Sequence, residues 1–368
     1  MLETKKRPDL FLIIIVASLL MLGIVMIYSA SAALANYVYK DAFYFVKKQL
    51  LFAGLGVGAV IIVLKFEWAF FERMVVWFLL GCHLLLMLVL IPGIGLVRNG
   101  AKSWLGIGAF SIQPAEFTKL ALVMFLAWLF AQQKFDLKNF WRGLVPACLI
   151  IGLPFGLIML QPDLGTGMVL VGAATVVIFV AGARYKHLIG FLSVGVVGFI
   201  LLVLAAPYRL KRLVAFVDPW QDPLGAGYQL IQSLYALGPG RLIGLGYGMS
   251  RQKYLYLPEP HTDFIYSIIS EELGFVVASL VIILFTLFAW RGFKIALQSR
   301  TMIQSLTATG ITSMIVLQAI LNIGVVIGLF PVTGITLPFL SYGGSSLTLT
   351  LVAVGILLNI SRYTKGVS

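Results

Sequence analysis

The residues best placed for chemistry lie in 256-YLPEPHTDFIYSIISEELGF-275. A loop broken by two prolines runs here into an apolar stretch. It carries four carboxylates, Glu259, Asp263, Glu271 and Glu272. Ionisable groups inside apolar segments are costly and mark functional sites by default. A carboxylate at the mouth of such a segment feels two opposed forces. A helix N-terminus favours its charged form, whereas burial favours its neutral form. The balance can leave Asp263 ionised and yet basic enough to take a proton from a hydroxyl. The competing role for Thr262 or Asp263 is to cap the helix that follows. Glu271 and Glu272 lie deeper and, at 100° per residue, face different neighbours. They read as braces, paired with basic or hydroxyl groups elsewhere in the bundle.

Other polar groups stand where an apolar chain would avoid them. Glu116 and Lys119, in 113-QPAEFTKLA-121, are spaced to pair on one helix face. The pair either braces the fold or lines a site. Asp163, in 161-QPDLGTG-167, is a helix cap or a functional acid. Glu259 reads as a supporting residue beside Asp263, and His261 as a possible catalytic helper. Gln318 and Asn322 fall in an apolar run, and Ser341 sits in the hydroxyl- and glycine-rich 338-PFLSYGGSS-346. Arg98, Lys102, Arg251 and Lys253 are basic candidates for substrate binding.

The elements that must position these groups are membrane helices. Of 368 residues, 60% are hydrophobic and only 11% charged, against about 25% charged in a soluble domain. At ~20 apolar residues per span, the pattern gives ten spans, near 10–33, 49–65, 74–91, 114–131, 143–160, 166–182, 187–206, 263–290, 302–329 and 337–360. The expected fold is an all-α integral membrane protein, one polytopic domain over 1–368, with a large extracytoplasmic loop at 207–262 between helices 7 and 8. The apolar run from Leu10 is too long for a signal-peptide core, so it reads as an uncleaved first span. Cys82 and Cys148 fall in apolar runs and read as packing residues.

Orientation follows from Lys and Arg in the connections. With the N-terminus inside, the inner segments hold Lys5, Lys6, Arg7, Lys134, Lys138, Arg184, Arg291 and Lys365 among others. The short outer loops hold only Lys40, Lys47, Lys48, Arg98 and Lys102. Both termini are therefore expected in the cytoplasm. The net charge of +13 is explained by this topology, and nucleic-acid binding is set aside. The 207–262 loop is too long to be idle. It holds Pro and Gly punctuation, more basic residues including Arg209 and Arg212, and an amphipathic stretch near 228–237. No phosphate-binding glycine loop of the nucleotide type is present. The polar groups within spans cluster in the outer half, which points to a cavity open to the outer leaflet.

Four strings, in order, resemble the SEDS family (shape, elongation, division and sporulation proteins): 98-RNGAKSWLGIGAFSIQPAEFTKLA-121, 161-QPDLGTG-167, 257-LPEPHTDFIYSIISEELG-274 and 331-PVTGITLPFLSYGGSSL-347. The likeness covers essentially the whole chain and is nearest the division and sporulation branch. The resemblance implies a peptidoglycan glycosyltransferase of the bacterial cytoplasmic membrane. Its substrate would be lipid II, the undecaprenyl-pyrophosphate-linked disaccharide-pentapeptide, polymerised on the outer face. The family's essential acid maps to Asp263, and the family's partner is a class B penicillin-binding protein, a single-span transpeptidase. A pyrophosphate leaving group needs positive charge near it. It is compatible with a divalent cation, Mg or Mn, bridging pyrophosphate and a carboxylate, although no metal motif is present. Two rival functions are a lipid II flippase, which needs a polar path on both sides, and a non-catalytic scaffold, which needs no particular acid.

Overall fold

The structure, a computed structural model, describes residues 7–98, 101–107, 110–133, 135–204 and 207–364. Lys5, Lys6, Lys134 and Lys365 lie outside the described residues, as does the side chain of Arg98. The chain forms α1 (Leu10–Tyr39), α2 (Tyr44–Lys65), α3 (Trp68–Leu90), α4 (Pro114–Ala131), α5 (Val145–Met159), α6 (Leu164–Val180), α7 (Tyr185–Leu204), α8 (Pro207–Val217), α9 (Tyr228–Leu237), α10 (Ile265–Gln298), α11 (Met302–Val326) and α12 (Gly344–Ser361). Among the described residues, eight helices are long and apolar enough to cross a membrane, α5 counted with the π-helical turn that precedes it. The two shorter apolar helices α6 and α7 fall at the remaining expected spans. The protein is a multi-pass helical membrane protein.

Burial sorts the helices into layers. In α4, α11 and α12, 67, 72 and 78% of the apolar window is buried, against 22% in α2. The first three form the centre and the others present apolar faces outward, as lipid-facing helices do. α12 lies along α2, where Asn359 donates to the carbonyls of Val63 and Phe66 and Thr348 to that of Phe52. At the end holding the termini, Asp9 caps α1 through the amide of Leu12 and pairs with Arg291 of α10 at 2.6 Å. Its own amide donates to Ser361 of α12 at 3.1 Å. One side chain and its backbone thus tie three helices.

The opposite end carries the site. There the 207–262 segment folds into α8, α9 and a run of tight turns. α9 occupies the stretch expected to be amphipathic. The glycine-rich stretch that follows reaches into α10. At Gly274, α10 breaks, with φ of 74° and ψ of −175°. The break frees backbone groups that an intact helix would pair. Residues 241–246 satisfy them: Leu245 and Gly246 donate to the carbonyls of Glu271 and Glu272, and Phe275 and Val276 donate to those of Arg241 and Leu242. Only glycine allows this approach, since a Cβ on Gly274 would collide with the amide nitrogen of Gly244.

The same junction holds Glu271 and Glu272 as braces, the role the sequence assigns them. Glu272 pairs with Lys253 at 2.9 Å and accepts from Ser29 and from the amides of Gly248 and Ser250. Glu271 accepts from the Ser250 hydroxyl and the Arg251 amide.

Three expectations need correction. Span 8 does not begin at Asp263, because α10 starts at Ile265 with Phe264 at its cap position. Span 10 does not begin at 337. Residues 337–343 form a turn, with Phe339 at φ of 66°, and α12 starts at Gly344. The connection before α4 is not plain loop. Strands β1 (Leu96–Arg98), β2 (Ala101–Ile107) and β3 (Phe110–Ile112) form an antiparallel sheet in the order β1-β2-β3. Arg98 pairs with Ala101, so Asn99-Gly100 lies between them, the favoured composition of a two-residue hairpin.

The Lys253–Glu272 pair yields a stability prediction. Lys253→Met leaves a buried carboxylate without its cation and is expected to cost about 3–5 kcal/mol. The double variant Lys253→Met/Glu272→Gln should recover part of it. Thermal unfolding in detergent measures both, and an unchanged single variant would remove the brace from this account.

Candidate active site

Asp263 sits on a backbone held from several sides. Three consecutive carbonyls each have a different partner. The amide of Tyr342 donates to the His261 carbonyl at 2.8 Å, and the Ser341 hydroxyl to the Thr262 carbonyl at 2.5 Å. The Asn322 side chain donates to the Asp263 carbonyl at 2.7 Å and to that of Ile335 at 2.6 Å. Upstream, Glu259 adopts φ of 51° and its carboxylate accepts from the Thr262 hydroxyl at 2.8 Å. The loop is therefore fixed by its main chain, and the Asp263 side chain is spent neither on capping nor on pairing. Among the described residues nothing hydrogen-bonds to its carboxylate.

The surroundings set its charge. Burial pushes the Asp263 carboxyl up to about 7, with the negative charges of Glu259 and Asp163 adding to the rise and the Arg212 guanidinium opposing it. Burial is the largest of these influences. Asp163 is raised by burial as well, although its carboxylate caps α6 through the Thr166 amide at 3.1 Å and accepts from Gln113 at 2.7 Å. Its capping role is real, and its charge still reaches Asp263. His261 moves the other way, down to about 4, because its ring is buried and the nearby Glu259 only partly offsets this. The ring packs between Phe45 and Tyr342. It is a neutral wedge near pH 7.

Beside these acids runs a second polar chain. Glu116 pairs with Lys119 at 2.7 Å, and Lys119 donates to Gln318 at 2.6 Å. Gln318 in turn donates to the Thr336 carbonyl, and Ser346 donates to Glu116. The chain joins α4, α11, α12 and the segment before α12. A separate cavity of ≈ 330 Å³ is mostly apolar and lined among others by Pro162, Leu164, Leu321, Phe330, Arg209 and Arg212. Arg209 and Arg212 are one turn apart on α8 and so share a face. Arg212 donates to the Val332 carbonyl at 3.2 Å. Two residues on, a Cβ at Gly334 would lie 3.7 Å from the Asp263 carboxylate.

The structure thus gathers Asp263, Glu259, Asp163, Glu116 and Lys119 into one electrostatic neighbourhood, with His261 and Ser341 shaping the loop. It does not bring Lys253, Arg251 or Lys102 there. Lys253 is buried in its pair with Glu272, and Arg251 donates its backbone amide to Glu271. The Lys102 ammonium bonds to the carbonyls of Leu90 and Ile91 at the end of α3, where a cation suits the helix C-terminus. The cation that acts on the acid is Arg212 instead, and Arg209, one turn away, lines the same cavity. Their signal in the sequence is the spacing within 207-PYRLKRL-213. Among the described residues, no group of three or more His, Cys, Asp or Glu could hold a metal ion.

Asn322 is expected to matter through the backbone it holds. Asn322→Ala strands one buried and one part-buried carbonyl and should cost roughly 1–3 kcal/mol, read as a lower melting temperature in detergent. A variant as stable as wild type would show that the loop holds its shape without this side chain.

Comparison with known proteins gives the same picture over the whole chain. A family model described as cell cycle protein, covering FtsW, RodA and SpoVE, matches residues 10–366. The stage V sporulation protein E of Bacillus subtilis is 54% identical over 99% of this chain and 100% of its own length. A probable peptidoglycan glycosyltransferase FtsW of Geobacter metallireducens is 39% identical over 99% of this chain and 97% of its own. Among solved structures, a chain of a peptidoglycan synthase complex, studied for its coordination of polymerization and crosslinking, superposes with a TM-score of 0.80 at 30% identity, covering 97% of this chain and 99% of that one. The rod shape determining protein RodA of Thermus thermophilus gives a TM-score of 0.72 at 28% identity, covering 96% and 97%. With its fold, its motifs and its full-length relatives in agreement, the chain belongs to the FtsW, RodA and SpoVE family of cell cycle proteins.

Proposed function

We propose that the chain is a peptidoglycan glycosyltransferase that polymerises lipid II on the outer face of the bacterial cytoplasmic membrane, for division or sporulation. The observation that carries this reading is the free carboxylate of Asp263, held by its backbone and felt by Arg212, one of two arginines on the wall of an apolar cavity. Asp263 takes the proton from an acceptor sugar hydroxyl as its oxygen attacks the anomeric carbon of the donor. The bond to the lipid pyrophosphate breaks in the same displacement, so the α-linked donor becomes a β-linked unit. Arg209 and Arg212 face the charge that develops on the departing pyrophosphate. The apolar wall receives the first part of the prenyl chain. Asp163 and the Glu116–Lys119 chain set the field around the acid. The bias of Lys and Arg toward the connections on the termini side supports cytoplasmic termini. The likeness to a chain of a peptidoglycan synthase complex supports work alongside a class B penicillin-binding protein.

Purified protein, reconstituted with its transpeptidase and given lipid II and Mg or Mn, should make glycan polymer visible on a gel. Asp263→Ala should lower the rate by ~10²-fold or more, the usual share of a general base. Polymer from both would discard Asp263 as base. Polymer from neither would favour the flippase or scaffold.

The rate should also depend on pH in a set direction. A base at about 7 loses its proton as pH rises, so activity should climb through that value. Glu259→Gln removes a neighbouring anion and should move the rise to lower pH. Arg212→Gln removes a cation and should move it higher. Profiles that do not shift in opposite directions would refute this account of the acid.

A further inference from the structure

The end of the α1–α2 hairpin carries an aromatic surface that the catalytic assignment leaves unused. Tyr37, Tyr39 and Phe43 are 71, 46 and 51% exposed. They are not scattered. The Tyr39 ring stacks on Tyr44 at 3.8 Å and 9°. Lys48 donates to the Tyr44 hydroxyl at 2.6 Å, and Lys40 lies 5.9 Å from the Tyr37 ring. The turn between the helices is fixed by Asp41, which accepts from the Phe43 amide and pairs with Lys47. The stack then continues inward. Tyr39 and Tyr44 meet Phe45 at 5.8 and 5.3 Å, and Phe45 meets His261 at 4.3 Å and Tyr342 at 5.0 Å. His261 stands two residues before Asp263. A run of rings therefore leads from the exposed surface to the loop that holds the acid.

Aromatic side chains at a membrane boundary usually form a belt, spread around the perimeter one by one. Here Tyr39, Tyr44 and Phe45 are in mutual ring contact, and Phe45 meets His261 in the loop that holds the acid. Its chemistry suits a saccharide. A pyranose presents a flat C–H face that stacks on an aromatic ring, and its hydroxyl and acetamido groups take up hydrogen bonds from the ring's polar edge and from a nearby ammonium. Two-torsion side chains already stacked lose little entropy on binding.

We propose that Tyr39, Tyr44 and Lys48 form a second saccharide subsite that holds the β-linked N-acetylhexosamine strand already made. The strand's identity rests on the glycosyltransferase reading above, while the subsite rests on the surface itself. Such a subsite keeps the product beside the acid between additions, so its loss shortens the strands.

The direct test uses full-length protein in detergent and chitohexaose, a soluble β-linked N-acetylglucosamine oligosaccharide, followed by saturation-transfer NMR. Saturable binding is expected in wild type, roughly tenfold weaker in Tyr39→Ala, and kept in Tyr39→Phe, which retains the ring. Asp263→Ala should bind like wild type, so the subsite can stand even if the catalytic assignment falls. Should Tyr39→Ala fail to fold, Tyr44→Ala reads the same quantity at the ring it stacks on. No saturable binding, or equal binding in wild type and the alanine variant, overturns the proposal. In the polymerisation assay Tyr39→Ala should give shorter strands than Leu55→Ala, a control at an exposed apolar position of the adjoining helix α2. Equal lengths would count against it as well.

Discussion

Everything at the site depends on three adjacent carbonyl groups, those of His261, Thr262 and Asp263. Each is bound by a donor from another part of the chain: an amide and a hydroxyl from the turn before α12, and an amide side chain from α11. A loop without regular structure normally leaves such groups to water. Here the fold supplies the donors, so the loop is as fixed as a helix would be. The position of the acid is then set without any bond to its carboxylate. A carboxylate that held the loop by its own oxygens would be less available to a proton.

The apolar surroundings do the rest. A membrane bundle has little polar surface, so each charged group needs a partner or shifts its protonation. Glu272, Glu116 and Asp9 take partners, namely Lys253, Lys119 and Arg291. Asp263 has none among the described residues and is pushed up to about 7 instead. The same rule thus separates the braces from the unpaired acid. A neutral His261 beside it adds no competing charge.

Much of this was legible in the residues. The spans follow from apolar runs, and α4 and α9 fall where their patterns predict. Asp263 and the bracing Glu271 and Glu272 follow from acids being out of place. What could not be read was tertiary. Lys253 and Arg212 are equally basic in sequence, and only the path of 241–253 along broken α10 decides which is buried in a pair. The β-sheet hid behind a membrane composition, although Asn99-Gly100 was a hairpin signal. The start of α12 was misjudged because 337–343 is as apolar as a helix, yet its backbone turns back to clamp the acid loop.

The break in α10 has a consequence for how the protein is made. Four backbone groups at Glu271, Glu272, Phe275 and Val276 find their partners only in residues 241–246. Unpaired peptide groups are costly within a bilayer. The glycine-rich segment is synthesised before α10, so it must wait at the membrane surface until its receptor arrives. Insertion of α10 and docking of that segment then form one step of biogenesis. The loop that carries Asp263 links the two, and its shape waits further, for α11 and the turn before α12 to supply the donors that fix it.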